Sequence, residues 1–392
     1  MQGRTAGLWG DGQKVSISVE EKPLSALQEP GDAWQALLAT AAPSFFQSEA
    51  WQSTWLKERP GDGAAPLALL LRRGGRLVGA GIFAPSRQCR HRLIRTRGLH
   101  LGEWGRPDFD ALTIEYNGLL SAPDDRAEVA RALAGWFRSA QHKWDELYLP
   151  GLCEADAGAM TAAAEDAGLN IWTIDDKHYD YVDLAAVREA DDGFDATLSR
   201  NSRYQIRRSA KAAGGGDALE FSLAASTEEG LDYFARLKAL HQASWQQRGR
   251  PGAFANPVFE SFHRRLIGDW FAAGVIQLCR LGGPAGEIGY LYNFCHEGYV
   301  YGYQSGFNYA LGGKVKPGLT THYYAIKHSL DAGMRVYDFM AGAGQHKASL
   351  GTHRGRMRWL VLQRPRPDLR LEQWARRLKG RLRQQSERDS KR

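Results

Sequence analysis

Apolar and polar positions change their period several times along the chain, and each change marks an element. In "SFFQSEAWQSTWL", Trp51 and Trp55 stand four apart behind Ser44 and Ser48, either of which can cap a helix. "PLALLLRRGGRLVGAGIFAPS" is two apolar runs joined by Gly74-Gly75, a hairpin signal. "ALTIEYNGLLS" reads as a further strand. Val129, Leu133, Trp136 and Phe137 recur at helical spacing, "DELYLPGL" is strand-like, and "AGAMTAAAEDAGL" is a helix stopped at Gly168.

The second half repeats this layout. A helix over "DGFDATLSRNSRYQIRRSAKA" breaks at three glycines, and "ALEFSLAAS" is a strand. Ser226 and Glu229 form a capping box ahead of Leu231, Phe234, Leu237 and Trp245. Asn256-Pro257 pairs an N-cap with proline at the first helical position. "GVIQLCRL", "EIGYLYNFCHEG" and "YVYGYQSGF" are three antiparallel strands separated by glycine turns. "PGLTTHYYAIKHSLDAG" is a helix, followed by the strands "MRVYDFM" and "RMRWLVLQR". Hairpin-paired strands with helices outside predict an α+β fold of mixed, mostly antiparallel sheets flanked by helices.

Composition is that of an ordinary globular chain: 392 residues, 43% hydrophobic and 24% charged. No run approaches a membrane helix, and "MQGRTAGLWGDGQKVSISVEEKP" lacks a secretory h-region. Cys89, Cys153, Cys279 and Cys295 are far apart, which argues against zinc or a disulfide framework and fits a reducing cytoplasm. The net charge of +7 lies entirely in residues 364–392, with eleven basic and four acidic residues; forty of each sign remain elsewhere. Nucleic acid is therefore not expected on the body of the protein. In the tail, Leu371, Trp374, Leu378 and Leu382 make an apolar stripe, the pattern of a basic helix that docks on an anionic membrane surface or an acidic partner.

"YDFMAGAGQHKASLG" resembles a nucleotide P-loop only superficially. That loop needs glycine before its lysine and Ser or Thr after it, whereas His346 and Ala348 flank Lys347. The order Pro317-Gly318, Gly333, Asp338-Phe339, Gly342 and Lys347, with "SRNSRYQIRRSAKA" and "FFQSEAWQSTW" upstream, instead resembles the GNAT acetyltransferase superfamily. Within it the resemblance is to the CelD-like branch of cellulose biosynthesis, distantly similar to FemAB-type aminoacyl-tRNA-dependent transferases. His346 stands where that branch has tyrosine. The resemblance spans roughly residues 43–360 and implies two tandem GNAT-like domains. The expected organisation is a loosely ordered segment 1–30, domains at 31–170 and 171–363, with the cofactor on the second, and a basic helical tail 364–392.

The resemblance and the residue chemistry together indicate where the reaction is expected. In "GGKVKPG", Gly312 and Gly313 free backbone N–H groups, Lys314 and Lys316 add charge, and the helix from Gly318 presents its positive end. That turn is the expected grip on the pyrophosphate of acyl-CoA, acetyl-CoA in the simplest case. Arg203 and Arg207 of the stripe Arg200, Arg203, Arg207, Lys211 are the expected second phosphate contact, on a face that could also bind an anionic glycan or RNA or simply be solvated. Lys347 is expected to stabilise developing charge, Tyr303 of the alternating Tyr299, Tyr301, Tyr303 to serve as acid, and Glu287 or Glu115 as base. His241, His322 and His328 show no metal spacing and read as structural or surface residues rather than bases. The expected activity is acyl transfer from acyl-CoA to an amine or hydroxyl of a small molecule, sugar or polysaccharide precursor, in the cytoplasm. Its rivals are aminoacyl-tRNA-dependent transfer and a non-catalytic role in envelope polysaccharide assembly.

Overall fold

The computed structural model describes residues 16–27, 32–140, 143–190, 192–215 and 218–376. The first half runs β1 (Ile17–Pro23), α1 (Asp32–Ala41), α2 (Glu49–Lys57), β2 (Leu67–Arg73), β3 (Arg76–Arg90), β4 (Ile94–Leu101), β5 (Leu120–Ser121), α3 (Arg126–Ser139), β6 (Glu146–Cys153), α4 (Glu154–Asp166) and β7 (Asn170–Asp183). The second runs α5 (Leu184–Glu189), α6 (Phe194–Thr197), α7 (Arg200–Ala212), β8 (Glu220–Leu223), α8 (Thr227–Gln247), α9 (Pro257–Trp270), β9 (Ile276–Gly283), β10 (Gly286–His296), β11 (Tyr299–Phe307), α10 (Pro317–Asp331), β12 (Val336–Ala341), α11 (Gln345–Leu350) and β13 (His353–Gln363).

These strands form one sheet in the order β1-β2-β3-β4-β6-β13-β7-β12-β11-β10-β9-β8, with β5 on β3. The order is a repeat read from both edges. Each half has antiparallel hairpins, then one parallel pair: β4 with β6, and β11 with β12. A helix makes each crossover, α3 in one half and α10 in the other. At the centre the halves exchange strands: β7 pairs with β12, β13 with β6, and β7 with β13 along their length. The fold is thus two similar units in a mixed, mostly antiparallel sheet flanked by helices.

Local signals fix several helix starts. Ser48 accepts from Trp51 N–H, Ser199 from Ser202, Ser226 from Glu229, and Asn256 from Val258, so an otherwise orphaned amide in each first turn is satisfied. Two expectations fail. Residues 17–23 are not loose but form edge strand β1, because Ile17 and Val19 gain apolar cover from the first-half core only once β2 is there to pair with. "ALTIEYNG" is not a strand: residues 111–119 are irregular, with Thr113 and Tyr116 in the left-handed region.

An aromatic cluster joins the halves. Phe45, Phe46, Trp51 and Trp55 of the first meet Phe262, Phe294, Tyr301 and Met340 of the second. Phe45 stacks on Phe294 at 4.1 Å and Trp51 meets Phe262 edge-on at 4.8 Å. Such pairs contribute about 0.5–1.5 kcal/mol each beyond their burial. Lys57–Asp269 and Glu58–Arg265 pairs flank the joint. Residues 367–376 form a helix anchored by buried Leu369 and by Glu372, which pairs with Arg90 at 3.0 Å. Leu371 and Trp374 are exposed, while Leu378 and Leu382 lie outside the described residues. No helix of the described residues is long and apolar enough to cross a membrane.

Candidate active site

The parallel pair β11–β12 holds for three residues, Tyr299 to Tyr301 against Val336 to Asp338, and then opens. Past Asp338, β12 bulges: Met340 adopts φ +63° and pairing with β7 resumes only at Ala341. A cavity of about 570 Å³ sits at this divergence. Gly302 to Ser305 of β11 line one wall and Phe339 to Ala341 of β12 another. His322, His346 and Lys347 close one side, residues from α8 and the following turn another, and Thr113 and Glu115 reach in from the first half.

Glu115 reaches the cavity because the matching divergence of the first half is filled. There β4 and β6 pair only from Gly98 to His100 before separating. The gap is filled by the 111–119 segment: Asn117 N–H donates to Gly151 O at 3.0 Å, and its side-chain amide to Leu101 O at 2.8 Å. Gly151 has φ +63°, and a Cβ there would lie 2.5 Å from Ile114 O and 2.7 Å from Glu115 Cα. The loop is therefore seated against bare backbone. One half keeps an open cleft; the other fills its own and sends an acid across the joint.

Glu115 is 2% exposed and accepts the Ala341 N–H at 2.8 Å. Burial pushes its pKa up to about 7, against the pull of that N–H and of Lys347. Asp338, whose charge also acts on Glu115, is pushed up to about 6 by burial, opposed by hydrogen bonds from the Tyr116 hydroxyl and the Met340 N–H. Lys347 donates to Met340 O at 3.1 Å and Ala341 O at 3.3 Å, so it braces the bulge. Burial lowers its pKa, while Glu115, Asp338 and Asp180 resist. His346 stacks on His322 at 5.0 Å. Burial holds His346 down at about 4 and His322 well below its ordinary value, so both rings are neutral at pH 7.

The residues expected from sequence fall in different places. Lys347 and Tyr303 line the cavity. The Tyr303 hydroxyl is committed: it donates to Leu112 O and meets His263 Nε2 at 3.1 Å. Its one proton goes to the carbonyl, so His263 carries its proton on Nε2 and accepts from Tyr292 on Nδ1. Glu287 is placed elsewhere, at the start of β10, accepting from Arg236 at 2.7 Å and from Tyr290 at 2.6 Å. The acid that the cavity holds is Glu115.

Gly312, Gly313, Lys314 and Lys316 form the turn before α10, beside the cavity rather than in its lining. Gly318 links the two: a Cβ there would lie 3.1 Å from Phe307 and 3.5 Å from His346 Nδ1. Ser209 of α7 accepts the Lys316 N–H at 2.8 Å, buttressing the start of α10. The helix has no side-chain cap and no acid in its first turn, and Lys314 and Lys316 are exposed. A Cβ on Gly313 would meet nothing within 4 Å, so packing does not require glycine there. These features fit a phosphate-bearing ligand. Arg203 turns back to Asp195 O and Leu198 O, closing the α6–α7 corner, and Arg207 is exposed on α7.

His100, Glu103 and Asp110 bring ligand atoms within 4.8 Å of one another in the filled half. Asp110 already accepts the Trp104 and Arg106 N–H groups, and His100 Nε2 is bonded to Ser86, so this group is held by the protein itself.

No curated protein matches the chain in sequence. FemX superposes with a TM-score of 0.51 at 9% identity, covering 82% of this chain and 94% of its own. A tandem GNAT protein of the clavulanic acid biosynthesis pathway aligns with a TM-score of 0.46 at 17% identity, covering 89% of this chain and 100% of its own. L-PGS from Bacillus licheniformis aligns with a TM-score of 0.47 at 12% identity, covering 85% and 91%. The family model of an acetyltransferase (GNAT) domain matches residues 200–348, the stretch that holds α7 to α10, the open β11–β12 cleft and Lys347.

Proposed function

We propose that the protein transfers an acyl group from acyl-CoA to an amine or hydroxyl of a small molecule, sugar or polysaccharide precursor. The observation that carries this reading is the cavity at the β11–β12 divergence, bordered by the uncapped start of α10 and supplied with a buried carboxylate whose pKa is about 7.

Acyl-CoA, when bound, supplies an activated thioester. The chain's part is positioning, proton removal and exclusion of water. Gly312, Gly313, Lys314, Lys316 and the first turn from Gly318 would hold its phosphates. Gly302 leaves the cleft open beside the carbonyl of Asp338, 3.2 Å from where a Cβ would stand. Glu115 takes the proton from the acceptor. A carboxylate poised near neutrality is both sufficiently ionised and sufficiently basic for that role. Lys347 keeps Glu115 from drifting further towards its neutral form and fixes the Met340 and Ala341 carbonyls that shape the bulge.

The rival, transfer from aminoacyl-tRNA, is what the FemAB-type resemblance implies. Calorimetric titration separates the readings. Acetyl-CoA is expected to bind one to one with a Kd of about 1–100 μM, in the ordinary range for a small ligand. Heat only with aminoacyl-tRNA would favour the rival, and heat with neither would favour a non-catalytic role.

A further inference from the structure

Arg250 lines the cavity and, like Pro251 and Thr113, is exposed, so it stands on the cavity's rim. Beside it an aromatic pair carries two guanidinium groups. Arg248 lies over Trp245 and over Tyr309, both at 5.9 Å, and Arg250 over Trp245 at 6.0 Å. Among the described residues neither arginine has a carboxylate within ion-pair distance. Other arginines of this half do: Arg236 pairs with Asp232 and Glu287, and Arg265 with Glu58.

The backbone under the pair is fixed. His241 Nε2 accepts the Ala253 N–H at 3.3 Å, which leaves the Nδ1 proton for Ser305 O at 3.1 Å. Gln242 donates to Pro251 O at 2.9 Å. Arg248 and Arg250 N–H groups both bond to Trp245 O at 3.0 Å. A guanidinium held near a ring and bonded to no carboxylate has its N–H groups available for the two oxygens of a phosphate or carboxylate. Two such groups without a counter-charge, on a rigid turn at a cavity rim, have the form of an anion site.

We infer that Arg248 and Arg250, held on Trp245 and Tyr309, bind an oxyanion of the acceptor, so that the acceptor is a phosphate- or carboxylate-bearing molecule. The inference rests on the proposed acyl transfer for the word acceptor, but the anion site stands or falls separately. A second source of the same chemistry is a phosphate of the cofactor itself.

Inorganic pyrophosphate serves as the probe, titrated calorimetrically at fixed ionic strength into the full chain, both free and saturated with coenzyme A. Pyrophosphate is expected to bind the coenzyme-A-saturated protein. Arg248→Gln/Arg250→Gln should weaken that binding at least tenfold while leaving the Kd for coenzyme A within twofold. Arg248→Lys/Arg250→Lys, which keeps charge but loses the fork, should fall between. Equal pyrophosphate affinity in wild type and the Gln double variant would overturn the inference. So would a tenfold loss of coenzyme A affinity in that variant, which would give the arginines to the cofactor. If coenzyme A does not bind wild type at all, the acyl-CoA reading fails, and the comparison of free proteins still decides the anion site.

Discussion

Ala341 N–H donates to Glu115 Oε2 at 2.8 Å, joining residues 226 apart in the chain and on opposite sides of the joint between the halves. This bond puts the first half's acid into the second half's cleft. Replacing Glu115 with Gln is expected to lower turnover about 10²–10⁴-fold, the usual contribution of a positioned base. Wild-type activity should rise as pH passes about 7, where Glu115 ionises, and the variant should lose that rise. Stability moves the other way. The folded protein holds the Glu115 proton more tightly than the unfolded chain, so wild type loses stability relative to Glu115→Gln as pH climbs from about 4.5 to about 7. The difference reaches at most ~3 kcal/mol. Melting curves of both proteins at pH 5 and pH 8 read it; a gap that does not widen with pH would remove the buried ionisation from the account.

Lys347 lowers the pKa of Glu115 through its charge. Lys347→Met should therefore shift the rising limb of the pH–activity profile to higher pH as well as lower its plateau. The test is the profile together with thermal melting. An unmoved limb in a protein that melts far lower would make Lys347 a brace for the Met340 and Ala341 carbonyls and nothing more.

Gly151 lies on β6, outside the lining of the cavity, yet it seats the loop that carries Glu115. Gly151→Ala introduces a Cβ against Ile114 O and Glu115 Cα at a left-handed position. A cost of ~1–3 kcal/mol is expected from strain of this kind. Turnover should fall more than affinity for acetyl-CoA, because the base moves while the α10 turn does not. Unchanged turnover would mean that the position of Glu115 does not matter to the chemistry.

Much of the fold was legible locally. Pro317-Gly318 opens α10 and left-handed Gly333 follows it, as the spacing indicates. Gly74-Gly75 turns the β2–β3 hairpin. What escaped depends on distant partners. "NIWTIDDKHYDYVD" has too few apolar positions to announce a central strand, but as β7 it is paired on both edges, by β12 and β13. "ALTIEYNG" carries strand-forming residues, but Asn117 and bare Gly151 draw it into the first-half cleft. The site divides the same way. Lys347 sits in a motif of its own neighbourhood, whereas nothing near Glu115 distinguishes it from Glu287. The choice between them is made by a bulge in β12 and by the joint between the halves.

The central claim is that an acyl thioester enters where β11 and β12 part. Gly302 stands at that point and lines the cavity. Gly302→Val should fill the opening, since even a Cβ would stand 3.2 Å from the Asp338 carbonyl oxygen. The decisive measurement is calorimetric titration of acetyl-CoA into wild type and Gly302→Val, with melting curves to show that both are folded. One-to-one binding by wild type and at least a tenfold loss in the variant is the predicted result; equal affinity in the two, or no binding by wild type, would contradict it.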